Sequence, residues 1–576
     1  MFGIRRSAAV SAVAAALGGL SVFGVAPVHG QTPAAQTPPA AAEQRLSITD
    51  AVELALKQNA DLEVVRLNPQ LQDVGISLAR SAWAPTFTTF AQGSNRDTPI
   101  NSLLAGDVDK LENNSTALNF GLQSALPWRG ASYQVGWENN RATTNNIFAN
   151  FTPQTGSNLT FNFTQPLLRN FGIDSTRQQL QVSRKNREIS DVQVKEAVAT
   201  TTRSVKNAYW DLVFAISSLD VQRQSLDLAQ RSLKENRARV EIGTMAPIDI
   251  VQAEAEVAQR EEAVILAEAA IARAEDALRA LIYGQHAADQ WNSRLVPTDR
   301  AAFAPVAVDI DGAVKGALGS RTDLQQAQKT IEANEVTISL LRNQVLPALN
   351  ASVDYGGTGI GGTQLIRGDG FPGPIIGSET KRYSDVLGDL IRNNFPSWTF
   401  TLQLSYPLGT STQDANLARA RLQNQQTVRQ LDASRIRVAT EVREVARTVT
   451  TNSKRVEATR ASRALAEKRL EAEEKKFQAG MTTNFFVLQA QRDLNQARNN
   501  ELQALIDYLK SVVNYETAQV APLGAGAGVT VVSGATGAAG AATGATTGQQ
   551  QFQQQREPHD GRRRPVIHCG PCRSCR

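Results

Sequence analysis

Apolar and polar residues alternate one for one from Asn158 to Gln165, with Leu159, Phe161 and Phe163 on one side and Thr160, Asn162 and Thr164 on the other. That is the period of a half-exposed strand. From about Ser175 the period changes: Leu212, Ile216, Leu219, Leu226, Ala229, Leu233 and Val240 fall at helical spacing. They predict one helix from Ser175 to Val240, on the order of 100 Å long at ~1.5 Å per residue. Gly243 breaks it and Pro247 suits the first turn of a returning helix. Ile250, Val257, Val264, Ile271 and Leu278 then recur every seven residues, the seam of an antiparallel coiled coil.

Upstream, Ile48–Asn59 and Asp61–Trp83 read as helices, the second carrying Pro69, a kink site. Thr86–Ala91 reads as a strand and Ser94–Asn114 as a polar loop. Leu118, Phe120 and Leu122 alternate up to a turn at Pro127-Trp128-Arg129-Gly130, and Tyr133, Val135 and Trp137 alternate back, predicting a hairpin.

The pattern then starts again. Laid over Ile310–Pro347 at a shift of 262, Ile48–Pro85 gives 13 identities in 38 positions without a gap, among them Asp61/Asp323, Arg80/Arg342 and Pro85/Pro347. Leu349, Ala351, Val353 and Tyr355 make the matching strand, and Gly356–Pro396 reads as a long Gly-rich loop. Trp398, Phe400, Leu402 and Leu404 alternate with Thr399, Thr401 and Gln403. A second helical hairpin turns at Gly480, 237 residues after Gly243, and Gln252/Gln489, Ala253/Ala490 and Gln259/Gln496 then coincide. The unit is an internal duplication.

No apolar run after the amino terminus reaches the ~18 residues of a spanning helix. The strands instead carry Phe, Trp, Leu and Tyr on one face and Thr, Asn, Gln and Ser on the other, the division of a barrel with lipid outside and water inside. Two strands per repeat and the added hairpin give four to six per chain, and a membrane barrel needs about eight to close. The expected fold is therefore mixed α and β: a transmembrane β-barrel shared between chains, continued by a long α-helical coiled-coil barrel.

Composition sharpens this in three ways. Residues 1–30 read as a secretory signal, with Arg5 and Arg6, an apolar run from Ala8 to Val25 and Val28-His29-Gly30 before Gln31; the alternative is a retained anchor. With the +2 of that leader and the +4 of the tail set aside from the +5 of the whole, the body is −1, and no nucleic acid is recruited. The three cysteines, Cys569, Cys572 and Cys575, lie in the last eight residues beside His568; their spacing is ligand-like but unaccompanied by a second site. No metal or cofactor is expected. Besides His568, only His286 and His559 remain after the leader, in no catalytic pattern, so the chain is not expected to be an enzyme. The remaining domains are a disordered leader at 31–44, a first repeat at 45–284, a connector at 285–308, a second repeat at 309–520 and a Gly/Ala/Gln-rich, basic tail at 521–576.

From Leu46 to about Val520 the chain resembles the TolC family of outer-membrane efflux factors. The resemblance rests on the helix–strand–strand–long hairpin unit in duplicate. Phe163-Thr164-Gln165-Pro166-Leu167-Leu168 enters the first long helix, and Val251-Gln252-Ala253 and Val487-Leu488-Gln489-Ala490 follow the two turn glycines. It implies a homotrimer with a twelve-stranded barrel in outer-membrane lipid, a large periplasmic tunnel, a periplasmic adaptor and an inner-membrane pump or secretion ATPase. Such a passive conduit carries drugs, toxins or proteins outward. Gly243 and Gly480 would then mark the periplasmic tip where the adaptor docks. The acidic residues usual after the second glycine are replaced here by Phe486 and Gln489, the first repeat keeps Asp249, and an Arg common after that glycine is Thr482. The expected constriction is thus an apolar one at Phe485 or Phe486, with Asp249 giving a weak cation preference. The competing reading is a periplasmic coiled-coil adaptor or scaffold without a pore, which would usually carry one such hairpin, not two.

Overall fold

The structure, a computed structural model, describes residues 43–100, 109–284, 291, 293–371, 373–409 and 411–524. The secretory signal, nearly all of the leader, and the tail with its cysteines fall outside these residues.

Each repeat opens on a pair of helices. In the first, α1 (Ile48–Gln58) starts at Ser47, whose hydroxyl accepts from Asp50 N while the Asp50 carboxylate caps the Ser47 amide in return. In α2 (Ala60–Ser81), Asn59 Oδ1 accepts from Leu62 N, and Asn59 Nδ2 donates to Leu281 O of the returning helix. Pro69 lies inside α2 without ending it. Their counterparts are α5 (Ile310–Ser320) and α6 (Thr322–Gln344).

In chain order, the strands that lie between each helix pair and its hairpin join in one antiparallel sheet. It contains β2 (Thr86–Pro99), β3 (Lys110–Ala125), β4 (Ser132–Thr144), β5 (Phe151–Pro166), β7 (Ala348–Arg367), β8 (Ile375–Lys381) and β9 (Pro396–Ser405). Neighbours run β2-β3-β4-β5-β7; β9 then pairs with β7 from Ala348 to Gly357 and β8 with β7 from Gly362 to Arg367. One row of cross-strand partners reads Phe87, Leu122, Val135, Phe161, Tyr355, Trp398; the adjacent row on the other face reads Thr86, Gln123, Gln134, Asn162, Asp354, Thr399. Phe90, opposite Asn119, is an exception on the polar face.

Three expectations change. The stretch 94–114 is largely strand: Ser94–Pro99 extends β2, and Lys110–Asn114 begins β3. With polar residues on both faces it shows no alternation, because neither face there is buried. Among the described residues the sheet has seven strands: the six that the alternation expected and β8, which the expected loop at 356–396 had hidden. Residues 356–396 are not a loop but the outer half of β7, then β8 and the helix α7 (Tyr383–Ile391). Gly359 and Gly361 are glycines because α7 lies on them: a Cβ on either would come within 2.4 Å of Val386. Finally, the leader and connector share a two-stranded parallel ribbon, β1 (Glu43–Leu46) with β6 (Arg294–Pro297). A four-residue pairing across so many residues leaves no local pattern.

The hairpins repeat to the residue. α3 (Ser175–Glu241) and α8 (Thr412–Gln478) each have 67 residues, and the returning α4 (Ile248–Ile282) and α9 (Asn484–Ala518) each have 35. The core lies at the roots: Leu46, Val205, Tyr209, Leu212, Leu278 and Ile282 in one cluster, Ala317, Leu324, Val438 and Val442 in another. The buried Tyr209 hydroxyl donates its one proton to Asp299 Oδ2 at 2.9 Å, with Leu46 O 3.1 Å away, and burial pushes the phenol up to about 12. Arg321, 1% exposed, ties α6 to α8 and to the end of α9 through Asp323, Glu441 and Ala518 O.

Candidate functional site

Both hairpin turns have the same backbone. After α3, Gly243 N donates to Val240 O and Thr244 N to Arg239 O, both at 2.9 Å; after α8, Gly480 N donates to Phe477 O at 3.1 Å and Met481 N to Lys476 O at 2.8 Å. This Schellman arrangement satisfies the last carbonyls and needs a left-handed residue one past the cap. Gly243 has φ +78° and Gly480 φ +72°, and neither has a neighbour in the space a Cβ would occupy. Glycine is there for its backbone.

The surface beside the turns is apolar. Ile242, Ile248, Val251, Met481, Phe485 and Phe486 are all more than half exposed. The Phe485 and Phe486 rings meet edge to face, with centroids 5.6 Å apart. Neither belongs to the local packed cluster, which is Leu470, Val487, Ala490 and Leu494 with Leu228, Ala466 and Phe477 against it. Asp249 lies in the first turn of α4, half-buried, its amide donating to Ala246 O. The expected residues therefore all lie in the first turn after their glycines.

Pattern reading missed the contacts that join the two hairpins above this tip. Arg492 on α9 reaches Glu256 on α4, with Nε donating at 2.8 Å and Nη2 at 2.6 Å to Oε2. Arg260 holds the other oxygen at 2.6–2.7 Å. Nearer the turns, the Arg239 guanidinium lies 4.4 Å from the centre of the Phe477 ring, linking α3 to α8. Burial, with Glu235 and Glu471 adding to it, raises the pKa of Glu474 above the ordinary carboxylate value. The signal for the clamp was a charge set three residues after Ala253 on the inward side of α4; Glu261, Glu262 and Arg273, by contrast, are exposed as solvated faces should be.

At the other end, an apolar belt with a polar reverse face crosses the whole sheet, while among the described residues no helix is long and apolar enough to cross a membrane. The strands, not the helices, meet lipid. Among the described residues no group of three or more His, Cys, Asp or Glu could hold a metal ion.

The family model described as "Outer membrane efflux protein" matches residues 51–283 and 313–518, one match on each repeat. A search of curated protein sequences gives no match. Among solved structures, the chain is similar to the Campylobacter jejuni CmeC outer membrane channel at 15% identity and TM-score 0.58, covering 82% of this chain and 85% of that one. It is similar to the outer membrane protein VceC of Vibrio cholerae at 15% and 0.57, covering 83% and 97%. It is also similar to the open state of the Neisseria gonorrhoeae MtrE outer membrane channel at 16% and 0.54, covering 83% and 89%. At these identities the structures speak to the fold, and the family model speaks to descent. The chain belongs to the outer membrane efflux protein family: it is not an enzyme but an outer-membrane channel of the tripartite efflux type, with its helices in the periplasm.

Proposed function

We propose that three copies of the chain form one passive conduit, that a periplasmic adaptor docks on the turns at Gly243 and Gly480, and that an inner-membrane pump supplies the driving force. One observation carries the three-copy reading. Within the chain, α3 and α6 are joined by a ladder: Gln178 to Thr337, Lys185 to Glu332, Lys329 to Glu188 and Gln326 to Glu196. Duplication gives this interface a twin, α8 against α2. Shifting by the two repeat offsets makes the twin pairs Ala415/Gly75, Leu422/Gln70, Gln425/Leu67 and Ala433/Val64. In the single chain these positions are unpartnered: Leu422 is 65% exposed, Val64 63% and Leu67 49%, and Leu71, Val74 and Leu78 continue the strip. An exposed apolar row of this length calls for a partner, and α8 of a neighbouring copy is the partner the duplication supplies. A head-to-tail contact of this kind closes into a ring.

The exposed apolar residues beside the two turns support adaptor docking there in the same way. Phe485 and Phe486, in the first turn of α9 and free of the packed cluster, are the groups from which a ring can make an apolar constriction by dewetting; Asp249 would add a weak cation preference.

A bismaleimide reagent tests the ring. With Cys569, Cys572 and Cys575 replaced by Ser, a chain carrying both Leu67→Cys and Gln425→Cys should crosslink to covalent dimers and trimers, with no ladder beyond three. Monomer alone, from protein that fractionates with the outer membrane, would overturn the arrangement.

A further inference from the structure

The added hairpin decides how wide the barrel is. β3 and β4 lie between β2 and β5 in the middle of the sheet, each paired on both sides for 11 residues or more. β2, β3, β4, β5, β7 and β9 have 14, 16, 13, 16, 20 and 10 residues. A strand needs ~9–11 to span a bilayer, so all six are long enough. β8, with seven, pairs only with the outer part of β7 and is not a wall strand.

The apolar belt passes through the hairpin without interruption. Its outward residues are Phe87, Thr89 and Ala91 on β2, Leu118, Phe120 and Leu122 on β3, Tyr133, Val135 and Trp137 on β4, and Leu159, Phe161 and Phe163 on β5. On β7 it runs from Leu349 to Tyr355 and on β9 from Trp398 to Leu404. Followed through the pair registers from β2 to β9, the middle of the belt slips by five residues in five steps between strands. One residue of ~3.4 Å per ~4.8 Å strand spacing is a tilt of roughly 35°, the tilt a closed membrane barrel requires. A hairpin that only decorated the outer mouth would have no reason to keep to that slope.

The two ends of the sheet are its most exposed strands and have free edges: every residue of β9 is exposed, as is every residue of β2 up to Asp97. β2 leads away from α2 and β9 leads back to α8, so β9 of one copy and β2 of the next are antiparallel. We propose that they pair, and that three copies thereby close an eighteen-stranded barrel in which β3 and β4 are wall strands. This rests on the three-copy channel reading above. One further step of the same slope puts Leu402 opposite Thr89 of the neighbour, with Phe400 opposite Ala91 and Leu404 opposite Phe87. Diameter grows about linearly with strand number, so at the strand spacing and tilt above the backbone diameter is roughly 35 Å, half again that of a barrel with four strands per chain. The opening at the cell surface suits bulkier cargo than the tip constriction would suggest.

The test uses the full chain, its tail cysteines replaced by Ser, reconstituted in phosphatidylcholine vesicles. Single nitroxide labels go on Phe120→Cys and Val135→Cys in the hairpin and, as controls, on Phe161→Cys and Phe400→Cys. Gln123→Cys and Gln134→Cys report the opposite face. Collision with oxygen relative to a water-soluble nickel chelate should be several-fold higher at 120 and 135 than at 123 and 134, and equal to that at 161 and 400. Thr89→Cys with Leu402→Cys should form a disulfide between copies. If 120 and 135 report water while 161 and 400 report lipid, the hairpin is outside the wall and the eighteen-stranded barrel is wrong, though the channel reading stands. If 161 and 400 also report water, the channel reading itself fails. A disulfide that forms only at a register two or more residue pairs away would overturn the proposed edge pairing.

Discussion

Arg492 and Glu256 join the two helical hairpins of one chain by a doubly donated ion pair, and the Glu256 side chain is 2% exposed while Arg492 is 47% exposed. The carboxylate is buried with two cations on it, so removing one leaves a charge that burial penalises. Arg492→Ala should loosen α9 from α4 by on the order of 2 kcal/mol, less than for a fully buried pair because Arg260 remains. Amide hydrogen exchange should rise in α4 and α9 near the tip and stay unchanged in the sheet. Unchanged exchange in both helices would mean the pair is incidental.

The turn glycines give a second expectation. At φ +72° a β-branched side chain costs ~1–2 kcal/mol and has no contact to compensate it. Gly480→Val should therefore distort the tip and reduce crosslinking to the adaptor, while the oligomer still forms in the membrane. Crosslinks mapping to the outer strands around β8, at the opposite end, would reverse the assigned polarity.

Glu474 gives a third expectation, a dependence of the tip on pH. Its pKa is raised by burial first and by Glu235 and Glu471 after, so protonation is favoured in the folded chain. Below the unfolded value the group is protonated in both states and costs nothing. As pH rises through the folded value, the charge must be carried in place, and the tip loses stability. Protection against exchange at the ends of α3 and α8, with the intrinsic pH dependence of exchange divided out, should accordingly fall as pH rises from the acidic side. Glu474→Gln should flatten that dependence; an unchanged profile in the variant would assign it to another group.

The constriction is read by single-channel recording. Phe485→Ala or Phe486→Ala should raise conductance, and Asp249→Ala should change selectivity only modestly. If both phenylalanine variants conduct like the parent and Asp249→Ala opens the channel, the gate is electrostatic.

Much of this was legible in the sequence, and the exceptions are physical. Alternation was plain at 116–123, 158–166 and 398–406, where one face is apolar and the other polar. It vanished at Ser94-Asn95-Arg96-Asp97 and Asn113-Asn114, where both faces are solvated and the strand is recognisable only by its partner. Gly356–Gly362 looked like a loop because glycine usually signals a turn, whereas here Gly359 and Gly361 make room for Val386 of α7. The long helices and the turn glycines came from local periodicity, and the duplication from laying the chain over itself. The Arg492–Glu256 clamp did not, because it joins positions far apart on helices whose other charges are solvated.

With six wall strands, the chain does not complete a barrel alone and would do so with two more copies. The most direct measurement is the mass of the purified full chain in mild detergent by light scattering, corrected for bound detergent, alongside conductance of the same sample in planar bilayers. A uniform species of three chains that conducts is the predicted result. A uniform, stable, conducting monomer would contradict the account.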